Sequence, residues 1–192
     1  MTPQVVGSQN RRSVGRILVS GGSVPTGLPR IALVISFLGT TLWQSQMDRA
    51  KIEADFVAAA QFIKGHKKSS SKLGVVGPPV LVAIYVNMLA AVIPDELNVG
   101  VPFYGTPAAK ELRQNIKGPL MVQLAELDKR VNASWPEYEE DLKTAEVDYA
   151  MHMYAQANHG FHNDSTGRYD EKNANLAWKR TLIFLKNHLF QS

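Results

Sequence analysis

The sequence predicts one α/β domain over residues 1–192: a mostly parallel sheet covered by helices on both faces, with residues 1–46 poorly patterned and the N-terminal part incomplete. Three observations lead there. From residue 73 onward, short continuous apolar runs alternate with helical stretches through at least three units, the pattern of strands buried on both faces and crossed over by helices. The 192 residues are 45% hydrophobic and 20% charged, a normal balance for one globular domain that excludes disorder and coiled coil. Cysteine is absent, which removes a disulfide framework, a thiolate metal site and any thiol nucleophile.

The elements follow in order. Within residues 1–30 only Val5-Val6 and Arg16-Ile17-Leu18-Val19 read as short strands, and residues 31–38 form a buried-strand run ending at Gly39. In residues 47–66, Ile52, Phe56, Ala59, Ala60, Phe62 and Ile63 recur at helical spacing opposite Asp48, Arg49, Lys51 and Glu53, which predicts an amphipathic helix. A polar turn, residues 67–72, leads to a strand over 73–77 and an apolar helix over 80–93 with Asn87 inside it. Residues 98–104 and 119–127 read as interior strands, ending at Gly105 and Asp128. Ser134 with Glu137 predicts a capping box on a helix over 135–145. A strand over 147–156, a loop His159-Gly160-Phe161-His162 and a helix over 173–190, with Leu176, Ala177, Trp178, Leu182, Phe184, Leu185, Leu189 and Phe190 on its apolar stripe, close the chain.

Charge and patterning narrow the partners. The net charge of +4 is scattered, with no Lys/Arg block interleaved with aromatics to follow a phosphate backbone, so nucleic acid is not expected. No Gly-rich phosphate loop is seen, and no nucleotide cofactor is implied. Residues 73–93 carry no charge, but Gly74, Gly77, Pro78 and Pro79 interrupt them, and the remaining helix suits a core better than a bilayer. The first residues lack a basic segment followed by an apolar one, so no secretory signal and a cytoplasmic location are expected.

In a parallel sheet the ligand site lies beyond the carboxyl ends of the strands. Asp128 and His159 both sit just past predicted strands, in the chain order of the acid and base of an α/β-hydrolase triad. An acid there orients the imidazole, and the imidazole carries a proton between nucleophile and leaving group. Helix capping by Asp128 and a structural histidine are the bland alternatives. Arg130 and Arg168, in the loops after these strands, are candidates to meet a substrate carboxylate, with exposed surface arginines as the alternative. His159, His162 and Asp164 are chemically suited to a metal, but a loop His-x-x-His is a poor ligand pattern, and no metal is expected.

Three motifs, Val101-Pro102-Phe103-Tyr104-Gly105, Ala125-Glu126-Leu127-Asp128 and Asn158-His159-Gly160-Phe161, resemble the C-terminal half of the dienelactone hydrolase family of α/β-hydrolases, and residues 47–77 resemble it as well. The resemblance implies hydrolysis of small-molecule esters or lactones without a cofactor, with Asp128 and His159 as acid and base. It also implies a nucleophile elbow, Gly-x-Cys-x-Gly-Gly, directly after the strand over 73–77.

Here the chain departs from the family, reading Gly77-Pro78-Pro79-Val80-Leu81-Val82. Pro79 stands at the nucleophile position, with φ held near −65° and no attacking atom. Val80 takes the place whose N–H would help to bind the oxyanion. Upstream, Gln9 of Ser8-Gln9-Asn10-Arg11 stands where the family carries a glutamate at the site edge. If the codons for residues 79–84 are CCT GTT TTG GTG GCT ATA, the frame beginning at the third base reads Cys-Phe-Gly-Gly-Tyr, the missing elbow. Local frameshifts would therefore account for the departure. The expectation is an impaired hydrolase of this type; the alternative is a non-catalytic remnant that binds small acyl or carboxylate ligands.

Overall fold

The computed structural model describes residues 17–19, 33–35 and 48–189, apart from 68, 78, 79 and 165, with the backbone alone for 17–19, 33–35 and 80–83. The predicted Val5-Val6 strand, Phe190, Gln9, Pro78 and Pro79 lie outside the described residues.

Among the described residues, six strands form one sheet in sequential order: β1 (Ile17–Val19), β2 (Leu33–Ile35), β3 (Leu73–Gly77), β4 (Leu97–Pro102), β5 (Leu120–Ala125) and β6 (Tyr149–Tyr154). β1 is antiparallel to β2, and β2 through β6 are parallel. Within residues 1–46 the described ones form two short strands, at two of the three runs the sequence marks.

Crossovers between parallel strands are right-handed. Because each step from β2 to β6 moves in the same direction, every crossover falls on one face. That face carries α1 (Arg49–Gly65), α2 (Val80–Val92), a 3₁₀ turn (Lys110–Asn115) and α4 (Trp135–Thr144), packed on Val75, Leu120, Val122 and Leu124. The chain then leaves β6, and α5 (Glu171–Leu189) covers the other face against Val76, Val99, Val101, Met121 and Ala125. Strand alternation sorts neighbours such as Val75 and Val76 into these two cores.

Local chemistry explains the helices and corrects three expectations. The Asp48 carboxylate accepts from the Ala50 N–H at 3.0 Å and starts α1, whose buried stripe is Ile52, Phe56, Ala60 and Ile63. Phe62 is 59% exposed, because it lies one residue, about 100°, away from that stripe, and its ring meets His66 instead. Leu176 is likewise exposed on α5, where Thr181 takes a buried position and receives a hydrogen bond from the Gln123 side chain at 2.7 Å. The predicted capping box does not form. Ser134 has helical backbone angles after the short α3 (Lys129–Asn132), so its hydroxyl donates backward to the Val131 carbonyl at 2.8 Å, and Glu137 pairs with Lys110 and Arg113.

Asn87, inside apolar α2, is fully used: its amide donates to the Thr106 carbonyl at 2.8 Å and accepts from the Tyr138 hydroxyl at 3.1 Å. Gly118 is required where the chain enters β5, since a Cβ there would stand 2.6 Å from the Leu97 carbonyl oxygen. Among the described residues no helix is long and apolar enough to cross a membrane.

Candidate active site

β5 and β6 run parallel and in register up to Ala125 beside Tyr154. Past those ends the two turns are laced together: the Glu126 N–H donates to the Tyr154 carbonyl at 3.1 Å, and the Leu127 N–H donates to the Ala157 carbonyl at 3.0 Å. The Glu126 carboxylate also accepts from the Gln156 N–H at 2.7 Å. Asp128 and His159, each a few residues beyond its strand, are brought face to face by this lacing. The Asp128 Oδ2 contacts His159 Nδ1, with both side chains largely withdrawn from water.

Asp128 makes a helix cap and an imidazole contact at once, because a carboxylate has two oxygens. Oδ2 takes the imidazole, while Oδ1 accepts from the Val131 N–H at 3.2 Å and caps α3. A carboxylate can only accept, so with a neutral imidazole the Nδ1–H donates to it and the lone pair is on Nε2. That tautomer is the one a general base needs.

The remaining predicted residues divide. Arg168 comes close: its guanidinium lies 3.7–3.8 Å from where a Cβ on Gly160 would stand, immediately beside His159. Gly160 has φ +87°, a conformation that favours glycine. Arg130 is exposed on α3. β3 ends at Gly77 and α2 starts at Val80, the order of elements at which an elbow is expected; Pro79 falls between them, outside the described residues, and Val80 is the first residue of the helix. Among the described residues no three His, Asp or Glu side chains cluster as metal ligands. His162 instead packs its ring on Phe103 at 4.9 Å and on Trp178 at 5.9 Å.

One site neighbour escaped the sequence reading. Tyr104, read there as strand end and as part of a family-like motif but not as a site residue, sets its buried ring beside the His159 imidazole, with centroids 4.9 Å apart and planes tilted by 56°. Burial pushes its phenol well above the ordinary range, and the Arg168 charge and a hydrogen bond with the His162 backbone oppose that only in part. Its backbone φ of +40°, which nothing in the sequence announces, turns it into place.

Burial also lowers the His162 imidazole below its ordinary 6.5, with Asp164 pulling the other way; His152 is lowered by burial and by Arg180. The folded chain therefore binds these protons more weakly than the unfolded chain does, and stability falls as the pH drops below 6.5. His162→Phe, which keeps a ring between Phe103 and Trp178, is expected to lose less Tm than the parent between about pH 7.5 and 5.5. An equal loss in both would refute this.

The sequence profile of the dienelactone hydrolase family matches residues 35–189. The protein usf of Aquifex pyrophilus is 32% identical over 163 residues, 79% of this chain and 66% of its own length. Among solved structures, the dienelactone hydrolase-like promiscuous phosphotriesterase P91 from metagenomic libraries superposes with a TM-score of 0.67 at 15% identity, covering 80% of this chain and 70% of that one. A candidate dienelactone hydrolase from Klebsiella pneumoniae gives a TM-score of 0.64 at 20% identity, covering 73% and 62%. The chain thus spans 62–70% of these three proteins. With an α/β-hydrolase sheet, an acid and a histidine meeting past its last two strands, and a profile that spans most of the sequence, the chain belongs to the dienelactone hydrolase family.

Proposed function

We propose that this chain carries the acid–base half of an ester- or lactone-hydrolysing site of the dienelactone hydrolase type and, with proline at residue 79, turns over negligibly. The observation that carries this reading is the Asp128–His159 pair, in a chain whose residues 78–82, directly after β3, offer no attacking atom. In a complete site the nucleophile passes its proton to His159 Nε2 and attacks the carbonyl carbon. The residue-80 N–H helps to hold the oxyanion, and the imidazolium, stabilised by Asp128, returns the proton to the leaving alkoxide. Asp128 and His159 supply the proton steps here; Pro79 removes the first bond-forming one. The substrates are small-molecule esters or lactones.

Arg168 beside Gly160 supports the second reading, a cleft that retains small carboxylate ligands without turnover. The test measures p-nitrophenyl acetate hydrolysis by the parent chain. A rate equal to buffer is expected; turnover that His159→Ala abolishes would overturn the proposal. Acetate binding by calorimetry, weakened by Arg168→Ala and without product from the ester, would favour the second reading over the first.

A further inference from the structure

We infer that Tyr104 is a positioning residue for the His159 imidazole, fixing the ring in the plane that Asp128 requires; the inference rests on reading Asp128 and His159 as a proton relay. The argument begins with alternation. Along β4 and its extension, Val99, Val101 and Phe103 pack in the core under α5, while Gly100 faces Val86 of α2. By the same period of two, residue 104 would join the α2 face.

It does not. Tyr104 belongs to the α5-side core with Phe103, because its backbone leaves the strand conformation with φ +40°. A bulky residue in the left-handed region is strained and persists only where its surroundings over-determine it. Three contacts do so. The Tyr104 N–H donates to the Gln123 carbonyl at 2.7 Å, its ring meets Phe161 edge-on at 5.6 Å, and its hydroxyl is hydrogen-bonded with the His162 backbone.

Those contacts hold the tyrosine at both ends. One end of the tyrosine is tied to β5, the strand that leads to Asp128, and the other to the loop that carries the imidazole, two and three residues beyond it. The ring between them lies 4.9 Å from the imidazole. A carboxylate hydrogen bond at Nδ1 fixes one direction of an imidazole but leaves it free to rock about that bond. An aromatic ring against its flank removes this freedom. The strain at residue 104 thus has a definite product, a wall for the base contributed by a third strand.

The test uses NMR on the full chain labelled with ¹⁵N-histidine. Nuclear Overhauser contacts between the Tyr104 ring protons and the His159 ring are expected in the parent; their absence overturns the inference without any variant. The parent should also show a far-downfield, slowly exchanging Nδ1 proton on His159. Tyr104→Leu should speed its exchange at least about tenfold while the amide spectrum stays folded, and Tyr104→Phe should keep it slow. Should Asp128→Asn abolish that proton and Tyr104→Leu leave it unchanged, the Tyr104 inference fails and the relay stands. A parent with no such proton sinks the relay reading itself.

Discussion

Pro79→Cys, Val80→Phe, Leu81→Gly, Val82→Gly and Ala83→Tyr, introduced together, are expected to raise p-nitrophenyl acetate hydrolysis about 10²–10⁴-fold above the parent chain, the range that a positioned acid–base pair contributes. The reasoning is local. β3 ends at Gly77 and α2 begins at Val80, so residue 79 falls between a strand and a helix, where an elbow is expected. Proline forbids the strained backbone of a nucleophile residue, and cysteine relieves that. Glycines at 81 and 82 admit close approach of substrate to the first turn of the helix. Each costs about 1 kcal/mol of helix propensity, so the unfolding transition must be recorded beside the rate. His159→Ala in the restored chain should return the rate to that of the parent. A restored chain that is folded and inert would show that the relay and the junction do not converge on one reacting centre. The coding DNA across residues 77–87 is a separate check, since a cysteine codon in a shifted frame is what the frameshift account requires.

The sheet was legible because strands buried on both faces are mostly apolar, as residues 73–77 and, apart from Gln123, residues 120–125 are. Strand ends followed, and with them Asp128 and His159. What the sequence could not reveal depends on partners far along the chain. Gln123 and Thr181 are polar residues in a core, acceptable only because they find each other across 58 positions, with the Tyr154 hydroxyl completing the network. Ser134 and Glu137 have capping-box spacing, yet a helical turn already in place at α3 and the Lys110 and Arg113 cations direct both side chains elsewhere. Tyr104 has the most functional consequence of these and the least sequence signal, because a positive φ at a tyrosine is imposed by its surroundings.

Phe161→Ala is expected to cost about 3–5 kcal/mol, the range for emptying a fully buried aromatic position. Its ring has no exposure and lies between Tyr154 at 4.9 Å and Tyr104 at 5.6 Å. Neither neighbour can collapse into the space. Tyr154 is held through its hydroxyl to the Gln123 side chain and by the Arg180 guanidinium over its ring, and Tyr104 is held at both ends. The cavity therefore stays open and its cost stays near the upper part of the range. For a chain of this size that is a fall in Tm of roughly 6–20 °C. The damage should also reach the base, because Phe161 anchors the His159 loop: its N–H donates to the Asn158 carbonyl at 3.0 Å, and its own carbonyl accepts from the Asp170 N–H at 2.9 Å. Amide exchange across residues 158–163 should rise well above the global change, whereas Phe161→Leu, which fills most of the space, should keep most of the protection. A Tm within about 2 °C of the parent for Phe161→Ala would mean that the loop is held by its hydrogen bonds alone and that the aromatic cluster beneath it contributes nothing to placing His159.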